Sequence, residues 1–420
     1  MAVTHVSVSN FKSFRSLEIE LSQVSVLIGS NAAGKSNFIE VFRFIQAIRD
    51  FGLQNAISLQ GGSQYLPNVR IGTDTPVAVS VRFAQPSGQV LTTTPDGAWL
   101  AFESTATTHS FALEFTKTGR RYAIVQDELL QEGRLVELRI KKSGMLTPGV
   151  VVADDATISV RRTKNDYDVS VSDLPDGVKV DPRDFLLRSS YGQSVALSSR
   201  MLLSERMPVV PVLAAKVYDI DPKAPKRASP ITGKAELEGD ASNLAIVLGS
   251  LLQSRAKKRQ LTNLLSDLLP FVGGLGLETF ADKSLLFKIR EVYSDNKYVP
   301  ASLLSDGTIS LTALVVALYF EPNRVTIIEE IERNLHPAVL PRLMQLIYDA
   351  ATDRQVVVST HHPELVKHVS LSDLLLVVRD GDGYSTVARA ADLDGLGQFL
   401  TSNMGVDDLY VQGVLEALSK

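Results

Sequence analysis

Apolar and polar residues alternate along residues 3–11 and 16–21, the period-two pattern of strands that bury one face. Residues 24–28 replace the alternation with a nearly continuous apolar run closed by Gly29, which predicts a buried strand feeding a loop. From Ser36 to Arg49 the period changes. Phe38, Ile39, Val41, Phe42, Phe44, Ile45 and Ile48 recur at the spacing of one helix face. Residues 76–200 return to alternation in short runs, 77–83, 110–115, 121–125, 135–140, 149–153, 156–162 and 168–172, separated by Gly, Asp, Pro and Thr. Such runs predict an antiparallel sheet laid against a neighbouring core.

Residues 205–300 differ again. A connection rich in Pro and Lys, 219–234, precedes helical patterns at 241–253 and 260–272 and strand patterns at 277–282 and 285–293. Beyond residue 301 the chain reads helix 311–320, strand 325–330, helix 340–350, strand 356–360 and strand 374–378. Strands alternating with helices predict a parallel α/β sheet. No internal repeat, sustained heptad or low-complexity tract interrupts the pattern, and no long coiled-coil arm is expected.

Composition narrows the class. At 420 residues the chain exceeds one usual core, so two or three lobes are expected. With 45% hydrophobic and 21% charged residues it is globular rather than disordered. A net charge of −4 argues against a uniformly basic nucleic-acid surface while leaving room for local basic patches. The absence of cysteine excludes disulfides and thiolate metal centres. The first residues lack a basic stretch followed by an apolar one, and the longest apolar run, 311–320, is too short for a bilayer. A soluble cytoplasmic protein without membrane association is the expectation.

Two segments carry chemistry. Gly29, Ser30, Asn31, Ala32, Ala33, Gly34, Lys35 and Ser36 satisfy the pattern G-x-x-x-x-G-K-[ST] between a predicted strand and a predicted helix. In that context backbone N–H groups wrap phosphates at a helix start, and Lys35 adds positive charge. The Ser36 hydroxyl suits Mg²⁺, and Asn37 completes the candidate nucleotide-binding set. Far downstream, the apolar strand 325–328 ends in Glu329 and Glu330. Acids delivered to the edge of a parallel sheet stand where ligands bind, the first suited to orient Mg²⁺ and the second to position or deprotonate water.

Several segments together resemble the ABC-type ATPases of the SMC, RecF and OLD-like kind. Asn10-Phe-Lys-Ser-Phe14 is similar to their N-terminal strand–turn element, and Leu304-Ser305-Asp306-Gly307-Thr308 to the ABC signature. Residues 328–337 resemble the extended Walker B and D-loop, and residues 356–365, with His361, resemble the switch-histidine segment. Residues 240–244 are loosely similar to the segment that opens the helical lobe of these ATPases. The resemblance implies an α/β fold: an ABC-type P-loop ATPase core with an added antiparallel β subdomain and a small helical lobe. It implies ATP and Mg²⁺ as ligands. Lys35 and Ser36 would meet phosphate and metal, Glu329 the metal, Glu330 the catalytic position and His361 the γ-phosphate. Ser305, Asp306 and Gly307 would serve ATP held by a second copy, so a homodimer closed by ATP is implied. Glu329 departs from the usual Asp, Ile331 from a frequent Pro, and Asp306 and Thr308 from the transporter signature.

The expected organisation is a split ATPase core at 1–80 and 295–420, a β-rich lobe at 81–204 and a helical lobe at 205–294. Gln64 is the candidate Q-loop residue, and Lys12 reads equally as a phosphate contact or a solvated side chain. Basic clusters at 223–227 and 255–259 read either as nucleic-acid phosphate contacts or as solvated faces. OLD-family nucleases, which the motifs resemble, carry a fused Toprim domain beyond the switch-histidine segment; with roughly sixty residues after His361 none is expected here, and Asp380 and Asp382 read as turn residues. The resulting expectation is an ATP-driven switch of bacterial anti-phage defence that acts on a separate effector such as a nuclease. The alternative is a RecF-like repair ATPase that binds DNA.

Overall fold

The computed structural model describes residues 2–93, 99–116, 121–140, 146–163, 167–174, 176, 178, 215–231, 236–394 and 405–413. The chain opens with strands β1 (Ala2–Phe11), β2 (Phe14–Glu20) and β3 (Val24–Ile28), then helices α1 (Lys35–Phe51) and α2 (Leu53–Leu59). Strands β4 (Val77–Thr93), β5 (Trp99–Phe115), β6 (Tyr122–Ile140), β7 (Leu146–Arg162) and β8 (Tyr167–Val171) follow. Next come β9 (Ala215–Tyr218), β10 (Ser229–Pro230), α3 (Leu244–Gln253), α4 (Arg255–Leu268), β11 (Val272–Thr279), β12 (Ser284–Glu291) and β13 (Tyr298–Pro300). The chain continues through α5 (Asp306–Tyr319), β14 (Val325–Ile328), α6 (Leu340–Ala350), β15 (Gln355–Thr360), α7 (Pro363–Val366), β16 (Leu374–Arg379), β17 (Ser385–Arg389) and α8 (Val406–Val411).

The chain divides into two compact units. One comprises Met1–Leu21, Glu40–Ala214 and Arg379–Val387; the other comprises Ser22–Ile39, Ala215–Val378 and Ala388–Lys420. The stretch 1–80 therefore contributes to both units, and one boundary falls inside α1. Residues 205–294 hold two helices together with strands β9 to β12, and 205–214 lie outside the described residues.

The first unit is built on a seven-stranded antiparallel sheet in the order β2-β1-β4-β5-β6-β7-β8. Its strands are fewer and longer than the short alternating runs predict. Runs 121–125 and 135–140 belong to one strand, β6, and runs 149–153 and 156–162 to another, β7. The polar residues between runs 121–125 and 135–140 pair within the sheet, and those between 149–153 and 156–162 form a bulge rather than a turn. Ala156 faces Gly133 and Ala153 faces Leu135, so Asp154 and Asp155 together face Arg134 and add local twist. Leu100, Phe102, Leu129, Leu135 and Ile158 form one buried cluster here. Phe44, on the later part of α1, lies 6.0 Å from the Phe11 ring and 6.3 Å from the Phe111 ring.

The second unit contains the α/β sheet. Its strands run β16-β3-β15-β14-β9, every neighbouring pair parallel. Strands β3, β14 and β15 are buried at every position, as expected of strands covered on both faces. Helix α5 is buried from Thr308 through Leu318, so it lies inside the core rather than on its surface. Helix α6 buries one stripe, Leu340, Leu343, Met344 and Ile347, at the spacing its sequence shows. A smaller antiparallel sheet, β10-β12-β11 with β13 beside β12, accompanies α3 and α4. Among the described residues no helix is long and apolar enough to cross a membrane.

Within the first unit, His109 Nε2 and Asp127 Oδ1 are 2.9 Å apart with both side chains buried. Removing one partner leaves a desolvated polar group behind. Asp127→Ala is expected to lower unfolding stability by about 3 kcal/mol in urea titrations, while the exposed Glu114→Ala changes it by less than about 0.5 kcal/mol.

Candidate nucleotide-hydrolysis site

The parallel register decides where the chemistry stands. Ile28 of β3 lies opposite Thr360 of β15, and Ile328 of β14 lies opposite Val358 of β15 and Tyr218 of β9. Gly29, His361, Glu329 and Asp219 each follow directly on those residues. The three expected segments therefore leave the sheet at one edge, the carboxyl end of its strands. Strand β15 lies between the strand of the phosphate loop and the strand of the acids.

The loop 29–36 has the backbone its sequence calls for. Gly29 leaves no room for a side chain: an added Cβ would lie 2.1 Å from the Val377 carbonyl oxygen of neighbouring β16. Ala32 and Gly34 take positive φ, 63° and 123°, which winds the loop back toward the start of α1. For Ala32 this backbone costs roughly 1 kcal/mol, a local strain of the kind that clusters at binding sites. Lys35 is buried, and its Nζ donates to the carbonyls of Gly29 and Ser30 at 2.7 and 3.1 Å. Its ammonium is thus held along the loop at the helix start. Ser30, Asn31, Ala32 and Ser36 are exposed, Asn37 is half-buried and Ala33 and Gly34 are buried. Backbone N–H groups at a helix N-terminus suit phosphate, and a hydroxyl with a carboxylate suits Mg²⁺, so the donor set fits both. Ser36 and Glu329 would hold the metal.

The acids sit on a tightly bonded turn. The Glu329 N–H donates to the Tyr218 carbonyl at 2.9 Å and prolongs the ladder to β9. Glu330 takes φ 47°, rare for a residue with a side chain, and its N–H donates to Ser359 Oγ at 3.0 Å. The Ile331 N–H donates to the Ser359 carbonyl at 3.2 Å. The Glu330 carboxylate is then gripped by Arg333, whose Nε and Nη2 lie 2.9 and 2.8 Å from Oε2, while Nη1 reaches Asp219 Oδ1 at 2.6 Å. Glu332 turns inward and is buried, and its Oε1 accepts from the His361 N–H at 2.8 Å and lies 3.0 Å from His361 Nδ1.

Ser305, Asp306 and Gly307 open α5. Ser305 is its N-cap, with Oγ accepting from the Thr308 N–H at 3.2 Å. Asp306 pairs with Lys226, which takes one cation of the 223–227 cluster out of free solvent. A cleft of ≈ 490 Å³ is lined here by Ser305, Gly307, Thr308, Asn334 and His336, with Phe271 beside them. Gln64 is exposed in a turn of the first unit. In the same unit Lys12 is half-buried and donates to the Gln60 carbonyl at 2.8 Å, and burial pushes its ammonium below the usual lysine range. Sequence reasoning passed over Glu332, Arg333, Asp219 and Ser359. The one signal available was the third acid, two residues beyond Glu330.

An added Cβ at Gly307 would lie 2.7 Å from the Asn334 carbonyl oxygen. Glycine to alanine inside a helix ordinarily stabilises by roughly 1 kcal/mol. Gly307→Ala is instead expected to destabilise by about 1–3 kcal/mol in urea unfolding. A stabilised variant would mean that the signature is not pinned against residue 334.

Residues 181–367 match the family described as "AAA domain, putative AbiEii toxin, Type IV TA system", and residues 1–80 match "AAA ATPase domain". Comparison with curated proteins finds no match. Among solved structures, an SMC head bound to the C-winged helix domain of ScpA aligns at 15% identity over 92% of this chain and 97% of its own, with TM-score 0.49. The SMC head domain from Thermotoga maritima aligns at 16% identity over 93% of this chain and 99% of its own, with TM-score 0.40. Two stretches of the chain, 1–80 and 181–367, thus match ATPase families, and the segments that carry the phosphate-loop pattern and the paired acids leave a parallel α/β sheet at one edge.

Proposed function

We propose that this chain is a switch that binds and hydrolyses ATP, closes head-to-head with a second copy around that ATP, and controls a separate effector protein. The observation that carries the reading is the shared sheet edge, where the phosphate loop, Glu329 and Glu330, and His361 follow on three neighbouring parallel strands. Lys35 and the loop N–H groups bind the phosphates, and Ser36 and Glu329 hold Mg²⁺, which when bound neutralises phosphate charge. Glu330 positions the attacking water and accepts its proton, and His361 faces the γ-phosphate. Ser305, Asp306 and Gly307 serve the ATP of the second copy. Bacterial anti-phage defence is the setting we favour, supported by the toxin–antitoxin description of the family matched by residues 181–367.

One observation favours a second reading, a DNA-binding ATPase. Arg255, Lys257, Lys258 and Arg259 crowd the first turns of α4, all exposed, with no acid in the first turn. Cations at a helix N-terminus oppose its dipole by about 0.3–1 kcal/mol each, so helix stability does not explain their placement. Phosphate-backbone contact does.

ATP turnover of the purified chain, with and without DNA, tests both readings. Lys35→Ala is expected to abolish turnover. Glu330→Gln is expected to keep ATP binding, slow turnover by about 10²–10⁴-fold and accumulate a dimer in light scattering. Wild-type turnover in Glu330→Gln removes that residue from the catalytic position. Turnover raised by DNA favours the second reading over the effector switch.

A further inference from the structure

Glu332 is a buried acid that the proposed chemistry does not use. Its side chain is 4% exposed, and a carboxylate taken so far out of water needs partners. Oε1 accepts a hydrogen bond from the backbone N–H of His361 at 2.8 Å and lies 3.0 Å from Nδ1 of the same residue. Oε2 is buried and has no hydrogen-bond partner among the described residues. The carboxylate is therefore directed at a single residue, His361, through its backbone and its ring.

The frame around it is stiff. Arg333 N–H donates to the Glu330 carbonyl and Leu335 N–H to the Glu332 carbonyl, both at 2.9 Å, so Glu332 is enclosed by two overlapping turns. Those turns are bonded to Ser359 on β15, the strand that delivers His361 two residues later. The His361 side chain is 46% exposed, so part of its ring is open to solvent.

An ionised carboxylate only accepts hydrogen bonds, so the nitrogen facing it must carry the proton. We propose that Glu332 is the positioning residue of His361, holding its neutral imidazole as the Nδ1–H tautomer and presenting Nε2 toward the reacting phosphate. Without that partner a neutral histidine is free to place its proton on either nitrogen and to rotate. With it, Nε2 offers a lone pair in the neutral ring and an N–H in the protonated one, always in the same direction. The inference rests on the reading of residues 329–361 as an ATP-hydrolysing site.

Isotope-labelled imidazole nitrogens report the tautomer directly, and six histidines keep the spectrum simple. His361→Gln identifies the His361 signals. At about pH 9, where imidazoles are neutral, wild-type His361 is expected in the Nδ1–H form. In Glu332→Gln the carboxamide serves either as acceptor or as donor, and the Nε2–H form is expected to appear. Turnover supplies the second readout. Glu332→Gln is expected to lower kcat about 10–100-fold, as loss of an orienting partner does, with KM for ATP unchanged. Adding Glu332→Gln to His361→Gln is expected to bring no further loss. A wild-type Nε2–H tautomer overturns the proposal with no variant needed, and so does an additive loss in the double variant. Absence of turnover in the wild-type chain would sink the ATPase reading instead, and the nitrogen spectrum would still decide the tautomer.

Discussion

A parallel sheet buried on both faces has nowhere to place polar chemistry except at the ends of its strands. Strands β3, β14 and β15 are fully buried and mostly apolar, and their backbone groups are consumed by the ladder. Register therefore does for this site what side-chain contacts do elsewhere. With Ile28 opposite Thr360 and Ile328 opposite Val358, β15 projects two residues beyond β14. That overhang brings Ser359 level with the acidic turn, where its hydroxyl and carbonyl accept from Glu330 and Ile331. A slip of one residue in β15 would turn Ser359 away, and Glu332 and His361 would no longer meet.

The parts of this arrangement that follow from local rules were legible in the sequence. A complete phosphate-loop pattern between an apolar run and a helical stripe predicts a buried strand, a tight loop and a helix, and strand β3, the positive φ at Gly34 and helix α1 are those elements. Strands β14 and β15 and helix α6 were equally plain, because each is either continuously apolar or cleanly amphipathic. The antiparallel sheet was legible in kind and misread in length. Asp154 and Asp155 look like turn residues in one dimension, yet they share a bulge opposite Arg134, and an unpaired pair of acids at a bulge needs no turn. The division into units was hidden for a different reason. A boundary that falls inside the continuous helix α1 leaves no trace in hydrophobic periodicity.

The polar network of the site was legible only in fragments. Glu330 was visible as the second of two acids, but its partner Arg333 also pairs with Asp219, 114 positions away in the sequence. Only the parallel pairing of β14 with β9 makes Asp219 a neighbour of Glu330. Glu332 was visible as a letter and not as a role. An acid two residues beyond a strand end reads as solvated, and its burial follows from a backbone bend at Glu330 that sequence periodicity does not encode.

The same bend involves Ile331, where the resembled ATPase motif leads one to expect proline. Proline would fix φ of the turn but has no N–H to donate. Here the Ile331 N–H is used, donating to the Ser359 carbonyl, and the side chain is buried in the core of the second unit. The turn is thus held by a hydrogen bond to β15 and by apolar packing in place of a locked ring. The Ile331 N–H ties the acidic turn directly to the strand that carries His361. It makes the strained backbone of Glu330, the buried carboxylate of Glu332 and the orientation of His361 consequences of one shared attachment point, Ser359.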